Sequence, residues 1–155
     1  MRLYLVRHSE ALPENIDPEK HLSSAGIAKV EAMVKLLRGL HLQVEEIMHS
    51  GKARAQQTAE ILSGAFHSNR GVNAKDRLNP NDEVRVIADE LLAGGEDIMI
   101  VGHLPFMNRL ASYLLTGSEE AEYFRFDNAS ILCVSSENKN QFKVEWFLKP
   151  EIIPP

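Results

Sequence analysis

The sequence predicts an α/β sandwich with a mostly parallel sheet and an antiparallel C-terminal edge. Three observations lead there. Leu3, Tyr4, Leu5 and Val6, and later the run DIMIVGH at 97–103, are apolar without alternation, which suits strands buried on both faces. Segments with helical apolar spacing lie between such runs, as a parallel sheet with crossover helices requires. The chain then closes with SILCVSS and FKVEWFL on either side of ENKNQ, a hairpin pattern. One domain spanning 1–155 is expected, long enough to bury a sizeable core.

In order, the first strand ends abruptly at Arg7 and His8, followed by ALPENIDPEKH, a polar segment with two prolines that reads as a loop. Ser23 or Ser24 can cap a helix whose apolar positions are Ile27, Val30, Val34 and Leu37, with Gly39 at its stop. A second strand is expected over 44–50, ending near His49 and Ser50, with Gly51 making the turn. The next helix places Ala55, Ala59, Leu62 and Phe66 on one face and Arg54 in its first turn. A cation is disfavoured beside the positive end of a helix dipole, a local cost expected where a residue serves a site.

The stretch HSNRGVNAKDRLNPND reads as irregular, with a short strand inside 72–78. Asn81 is a candidate cap, with Asp82 and Glu83 in the first turn of a helix that buries Val84, Ile87 and Leu91 and stops at Gly94 and Gly95. After the strand ending at His103, a helix with Pro105 in its first turn presents Phe106, Leu110 and Leu114. The tail EIIPP is expected to be irregular.

A net charge of −5 argues against a general nucleic-acid binder, which would carry a basic surface. Cys133 is the single cysteine, so no internal disulfide and no thiolate metal cluster is expected, and its place in the run ILCV makes it a core residue. Four apolar residues before Arg7 are too few for a signal peptide, and no run approaches membrane-spanning length. A cytoplasmic protein is the expectation.

Chemistry concentrates at the strand ends. Three apolar runs finish in Arg7-His8, in His49-Ser50 with Arg54 beyond, and in His103, and parallel strands would bring these ends to one rim. Arginine forks match phosphate oxygens with paired, charge-assisted hydrogen bonds. A neutral imidazole can attack phosphorus while a second, protonated one stabilises equatorial charge. Helix N-termini after Ser50 and His103 would add backbone donors. This pattern is a phosphate site, with His8 as its candidate nucleophile. A two-histidine metal site fits poorly, since Arg7 and Arg54 would repel a cation. His21, His41 and His67 are expected in solvent, and His49 as a strand-end residue; Asn128 and Ser130 could line the pocket or shape a turn. Gly51-Lys52 lacks the spacing of a phosphate loop, although Lys52 could attract an acidic substrate.

LVRHSEA, SGKARAQQTAE and IVGHLP, in this order and spacing, resemble the motifs of the histidine phosphatase superfamily, the phosphoglycerate mutase-like fold. The small size is similar to its phosphohistidine phosphatase branch, the SixA type. The resemblance implies a three-layer α/β/α sandwich and hydrolysis of a protein phosphohistidine through a phosphohistidine intermediate on His8. It implies that Arg7, Arg54 and His103 form the phosphate pocket, with neither metal nor cofactor. It further implies action on a phosphorylated protein, such as a histidine phosphotransfer domain in a signalling relay, and a monomer is the expectation.

The chain departs from the family pattern at Ser9, where glycine is usual, and at Gly51, where proline is common. The general acid of larger relatives has no clear counterpart; Asp82, Glu83 and Glu10 are weak candidates. A phosphoramidate releases imidazole, which is a far better leaving group than an alkoxide once its ring is protonated and so needs a dedicated acid less. The alternatives are a small-molecule phosphate monoester phosphatase on the same scaffold and, from another class, a module that binds phosphate or a phosphoprotein without turnover.

Overall fold

The computed structural model describes residues 1–154. Its main sheet has six strands: β1 (Arg2–Arg7), β3 (Glu46–His49), β5 (Val72–Ala74), β6 (Ile98–Gly102), β7 (Ile131–Ser135) and β8 (Lys143–Leu148). Their order is β5-β3-β6-β1-β7-β8, with β1, β3, β5 and β6 mutually parallel and the final hairpin antiparallel. A separate parallel pair joins β2 (Leu42–Val44) to β4 (Phe66–Ser68).

Strand pleating sends alternate residues of β1 to opposite layers. Leu3 and Leu5, with Ile98, Ile100, Leu132 and Val134, pack under α3 (Val84–Gly94) and α4 (Phe106–Thr116). Tyr4 and Val6, with Ile47, Met99, Val101, Ile131 and Cys133, pack under α1 (Ser24–Leu37) and α2 (Ala53–Leu62). The continuous apolar character of β1 and β6 therefore comes from two cores, one on each face. Burial pushes the Cys133 thiol up to about 12, which keeps it protonated within the second core.

Several boundaries differ from the sequence reading. The strand expected over 44–50 divides at Glu45 into β2 and β3, which join different sheets. Phe66 lies in β4 instead of on α2, and from there packs edge-on against Tyr4 at 5.0 Å between ring centroids. Asn81, Asp82 and Glu83 precede α3, whose cap position is Glu83; the Asp82 carboxylate accepts instead from the Asn79 amide at 2.8 Å. Pro105 stands just ahead of α4, and Pro150–Ile152 form a 3-10 turn within the tail. These shifts share one cause, that strand ends and caps are selected by tertiary partners which local spacing does not report.

Ser23 caps α1 by accepting from the Gly26 amide at 3.0 Å. The buried stripe of α1 is Gly26, Val30, Met33 and Leu37, rotated from the expected stripe toward its glycine. A Cβ on Gly26 would lie 2.0 Å from the Glu10 carbonyl oxygen, so α1 can approach the segment after His8 only through glycine. We expect Gly26→Ala to destabilise the fold by about 3 kcal/mol, the upper end of overpacking costs, because the obstacle is backbone. Urea unfolding measures this, and a change below about 0.5 kcal/mol would contradict the close approach.

Candidate active site

Sheet register levels the ends of three strands. Val6 and His49 both pair with Val101, and Arg7 pairs with Gly102. His8, Ser50 and His103 each follow the last residue of their strand, so they emerge together at the carboxyl rim. The N-termini of α2 and α4 start nearby, at Ala53 and Phe106, and neither has a side-chain cap. Their free amides leave a positive potential at this rim.

The backbone of His8 is held from β6 on one side and from the turn before β7 on the other. Its amide donates to the Gly102 carbonyl at 2.9 Å, and its carbonyl accepts from the Ala129 amide and from Asn128 Nδ2, each at 3.3 Å. Asn128 thus supports the main chain of His8. In the side chain, Nδ1 lies 2.6 Å from the Ser9 carbonyl oxygen. A carbonyl only accepts, so Nδ1 carries the proton and Nε2 keeps its lone pair.

Ser9 is fully buried. Its hydroxyl donates to the Gly26 carbonyl at 2.7 Å and its amide donates to Thr58 Oγ1 at 3.0 Å. The side chain therefore ties the His8 loop to α1 and does not narrow the pocket. Thr58 Oγ1 in turn donates to the Arg54 carbonyl at 2.7 Å, linking the His8 loop to the turn that carries Arg54. At Gly51 the backbone has φ +84°, which proline cannot adopt, and the Gly51 amide donates to His49 Nδ1 at 3.1 Å. His49 is thereby the strand-end residue the sequence suggests, and its ring accepts from the turn that follows.

Arg7 donates through one terminal nitrogen to the Phe126 carbonyl at 2.8 Å, while its buried Nε has no acceptor among the described residues. Arg54 projects from the first turn of α2, and burial lowers the pKa of both guanidiniums without discharging them. His103 is buried, with Nε2 2.6 Å from Ser50 Oγ and Nδ1 without a partner among the described residues. The His8 and His103 rings stand 5.0 Å apart between centroids. The structure thus brings together all four predicted site residues.

Burial first, then the charges of Arg54, Arg7 and Lys20, push His8 down to about 4. Burial, His8, Arg54 and two lysines push His103 down to about 3. Both imidazoles are neutral at pH 7, which suits His8 as a nucleophile, and His103 takes up a proton only if something beside it favours the charge. A phosphoryl dianion beside it would oppose the arginine charges and favour protonation.

The three carboxylates weighed as acids are engaged elsewhere or exposed. Glu10 bonds Lys29 Nζ at 2.9 Å and Ser23 Oγ at 3.1 Å, Asp82 holds its own turn, and Glu83 is exposed ahead of α3. His41 and His67 are exposed as expected; His21 is instead half-buried, with Nδ1 2.8 Å from Asp17. Among the described residues no three His, Cys, Asp or Glu side chains cluster as metal ligands do, and no helix is long and apolar enough to cross a membrane.

A family model described as the histidine phosphatase superfamily, branch 1, matches residues 3–82. The chain belongs to the histidine phosphatase superfamily. The Escherichia coli K12 phosphohistidine phosphatase SixA is 23% identical over 155 residues, covering 97% of this chain and 94% of that protein. The structure of the protein histidine phosphatase SixA complexed with tungstate superposes with a TM-score of 0.85 at 22% identity, covering 97% of both chains. An Entamoeba histolytica phosphoserine phosphatase mutant bound to phosphoserine superposes with a TM-score of 0.70 at 15% identity, covering 97% of this chain and 98% of that one. A mycobacterial glucosyl-3-phosphoglycerate phosphatase in complex with VO3 gives 0.70 at 16% identity, with 94% and 97% covered. At these identities the superpositions establish the histidine phosphatase fold, with its antiparallel C-terminal strands.

Thr58 and the Ser50 hydroxyl were not singled out from the sequence. A threonine four residues after Arg54 in a helix is a local signal for back-bonding to that carbonyl, and it could have been read. The Ser50–His103 contact spans 53 residues and had no local signal.

Two measurements test this geometry. Imidazole NMR titration should show His8 and His103 neutral from pH 8 down to about pH 5, and an inflection near pH 6.5 from either would contradict their depression. The sign for stability follows from the same shifts. The contribution is full above pH 6.5 and falls as pH drops toward 4 and 3, because the unfolded chain takes up protons that the folded pair refuses. Ser9→Gly should retain catalysis within about threefold while losing about 1 kcal/mol of stability, the worth of one buried hydrogen bond. A large change in turnover would mean that the Ser9 side chain faces substrate.

Proposed function

We propose that this protein is a phosphohistidine phosphatase that works through a covalent intermediate on His8. The observation that carries the reading is the short contact between His8 Nδ1 and the Ser9 carbonyl, which leaves the Nε2 lone pair free beside two arginines. Nε2 forms a bond to phosphorus as the substrate's P–N bond breaks. The substrate ring is protonated from solvent before that bond breaks, so neutral imidazole leaves, and water then cleaves the His8 phosphoramidate to give inorganic phosphate and free His8. Arg7 and Arg54 hold the phosphoryl oxygens, and His103 stabilises charge across the equatorial plane. Ser50 positions His103 through its ring nitrogen.

The engagement of Glu10 and Asp82 in other contacts supports a substrate with an undemanding leaving group. A phosphorylated protein, such as a histidine phosphotransfer domain, fits this requirement, and the E. coli relative is named for phosphohistidine. The second reading, a phosphatase for small monoesters, draws on the fold shared with phosphoserine and glucosyl-3-phosphoglycerate phosphatases.

Turnover of a phosphohistidine protein should exceed that of phosphoserine by at least about 100-fold in kcat/KM. Equal or faster monoester turnover would favour the second reading. His8→Ala should lose turnover by at least about 1000-fold and trap no phosphoenzyme, with Arg54→Ala losing about 100-fold. Wild-type turnover in His8→Ala would remove it as nucleophile.

A further inference from the structure

Beyond Arg54 the rim opens into a cleft lined by Glu14, Lys20, His21, Lys52 and Gln56. Lys20 stands out there for its backbone. It has φ +54°, the left-handed region that favours glycine, within an otherwise regular polar loop. Residues kept in such a conformation need support from their surroundings.

Asp17 supplies that support. One carboxylate oxygen accepts from the Glu19 amide at 3.1 Å and the other accepts from the His21 amide and its Nδ1, both at 2.8 Å. The Asp17 carbonyl accepts from the Lys20 amide at 2.9 Å. The turn is then fixed to both halves of the site. The His21 carbonyl accepts from the Leu12 amide, four residues after His8, at 2.8 Å. The Leu22 amide donates to Gln57 on α2, three residues from Arg54, at 2.7 Å.

The lysine presented in this way is half-buried, and among the described residues its ammonium forms no ion pair, although Glu14 and Glu19 line the same cleft. Glu19 lies 3.4 Å from His21 Nε2 instead. The charge of Lys20 is among the causes that lower both His8 and His103. A cation held on a left-handed turn, without an ion-pair partner among the described residues and lining the same cleft as Arg54, is placed for an anionic ligand.

We propose that Lys20 is a substrate-binding residue, a third cation that joins Arg7 and Arg54 in holding the phosphoryl group from the solvent side. Asp17 is its positioning residue. The proposal rests on the phosphatase reading of the same site, and binding of inorganic phosphate separates the two. In calorimetric titration the wild-type protein should bind phosphate, and Lys20→Ala should bind it about tenfold more weakly, the loss of one charge-assisted contact. Lys20→Arg should stay within about threefold of wild type, since the charge remains. The NMR titrations of His8 and His103 should both move upward in Lys20→Ala, which a purely structural turn residue would not cause. Lys20→Gly should weaken phosphate as Lys20→Ala does while melting at or above the wild-type Tm, because glycine relieves the turn.

Phosphate affinity within twofold of wild type in Lys20→Ala would overturn the role of Lys20 and leave the phosphatase reading standing. A lowered Tm in Lys20→Gly would overturn the idea that the turn is kept for the lysine. A wild-type protein that binds no phosphate would overturn the phosphatase reading itself, and this proposal with it.

Discussion

The hydrogen bond from His8 Nδ1 to the Ser9 carbonyl decides what the rest of the rim can do. It sets the imidazole tautomer without a carboxylate, so the ring gains orientation but no added negative charge beside the incoming phosphoryl group. The contact is only as good as the backbone that carries the carbonyl. That backbone is held by the Ser9 amide on Thr58, the Ser9 hydroxyl on Gly26, and the His8 main chain on Gly102 and Ala129. Three elements and the turn before β7 thus converge on two residues. The oxygen that points His8 belongs to the same network that fixes Arg54, through the shared Thr58 hydroxyl.

Electrostatics follow from the same construction. The site places two half-buried guanidiniums beside two imidazoles, and several surface carboxylates are paired away from it. Glu96 pairs with Arg70, Glu119 with Arg109, Glu90 with Lys75 and Glu10 with Lys29. Asp127, which raises the pKa of Arg7, is itself bonded to Lys149. Positive potential is therefore left for a phosphoryl dianion, and it adds to the burial that holds both imidazoles neutral until one arrives. A chain of net charge −5 can carry such a pocket because the charge balance of the whole surface does not govern a local, half-buried rim.

The two departures from the family pattern are each absorbed locally. Ser9 adds a hydroxyl where glycine is usual, and the Gly26 carbonyl on α1 takes its proton. Gly26 has no side chain because the Glu10 carbonyl occupies that space. The serine and the glycine are thus two sides of one close contact. Gly51 uses both the positive φ and the amide that proline lacks.

Much of this protein is legible in its sequence. The doubly buried strands, the order of strands and helices, the terminal hairpin and the four rim residues all follow from local patterns. Each rests on information carried by a single segment: apolar runs, helical spacing, and polar groups at strand ends. Tertiary structure alone decided the rest. It split 44–50 between two sheets, moved Phe66 into β4, set Asp82 and Glu83 before α3, and turned the Ser9 side chain away from the pocket. It also chose the His8 tautomer, joined Ser50 to His103 and left both imidazoles neutral. Those outcomes depend on carbonyl groups and burial supplied by residues far along the chain, which no local spacing can report.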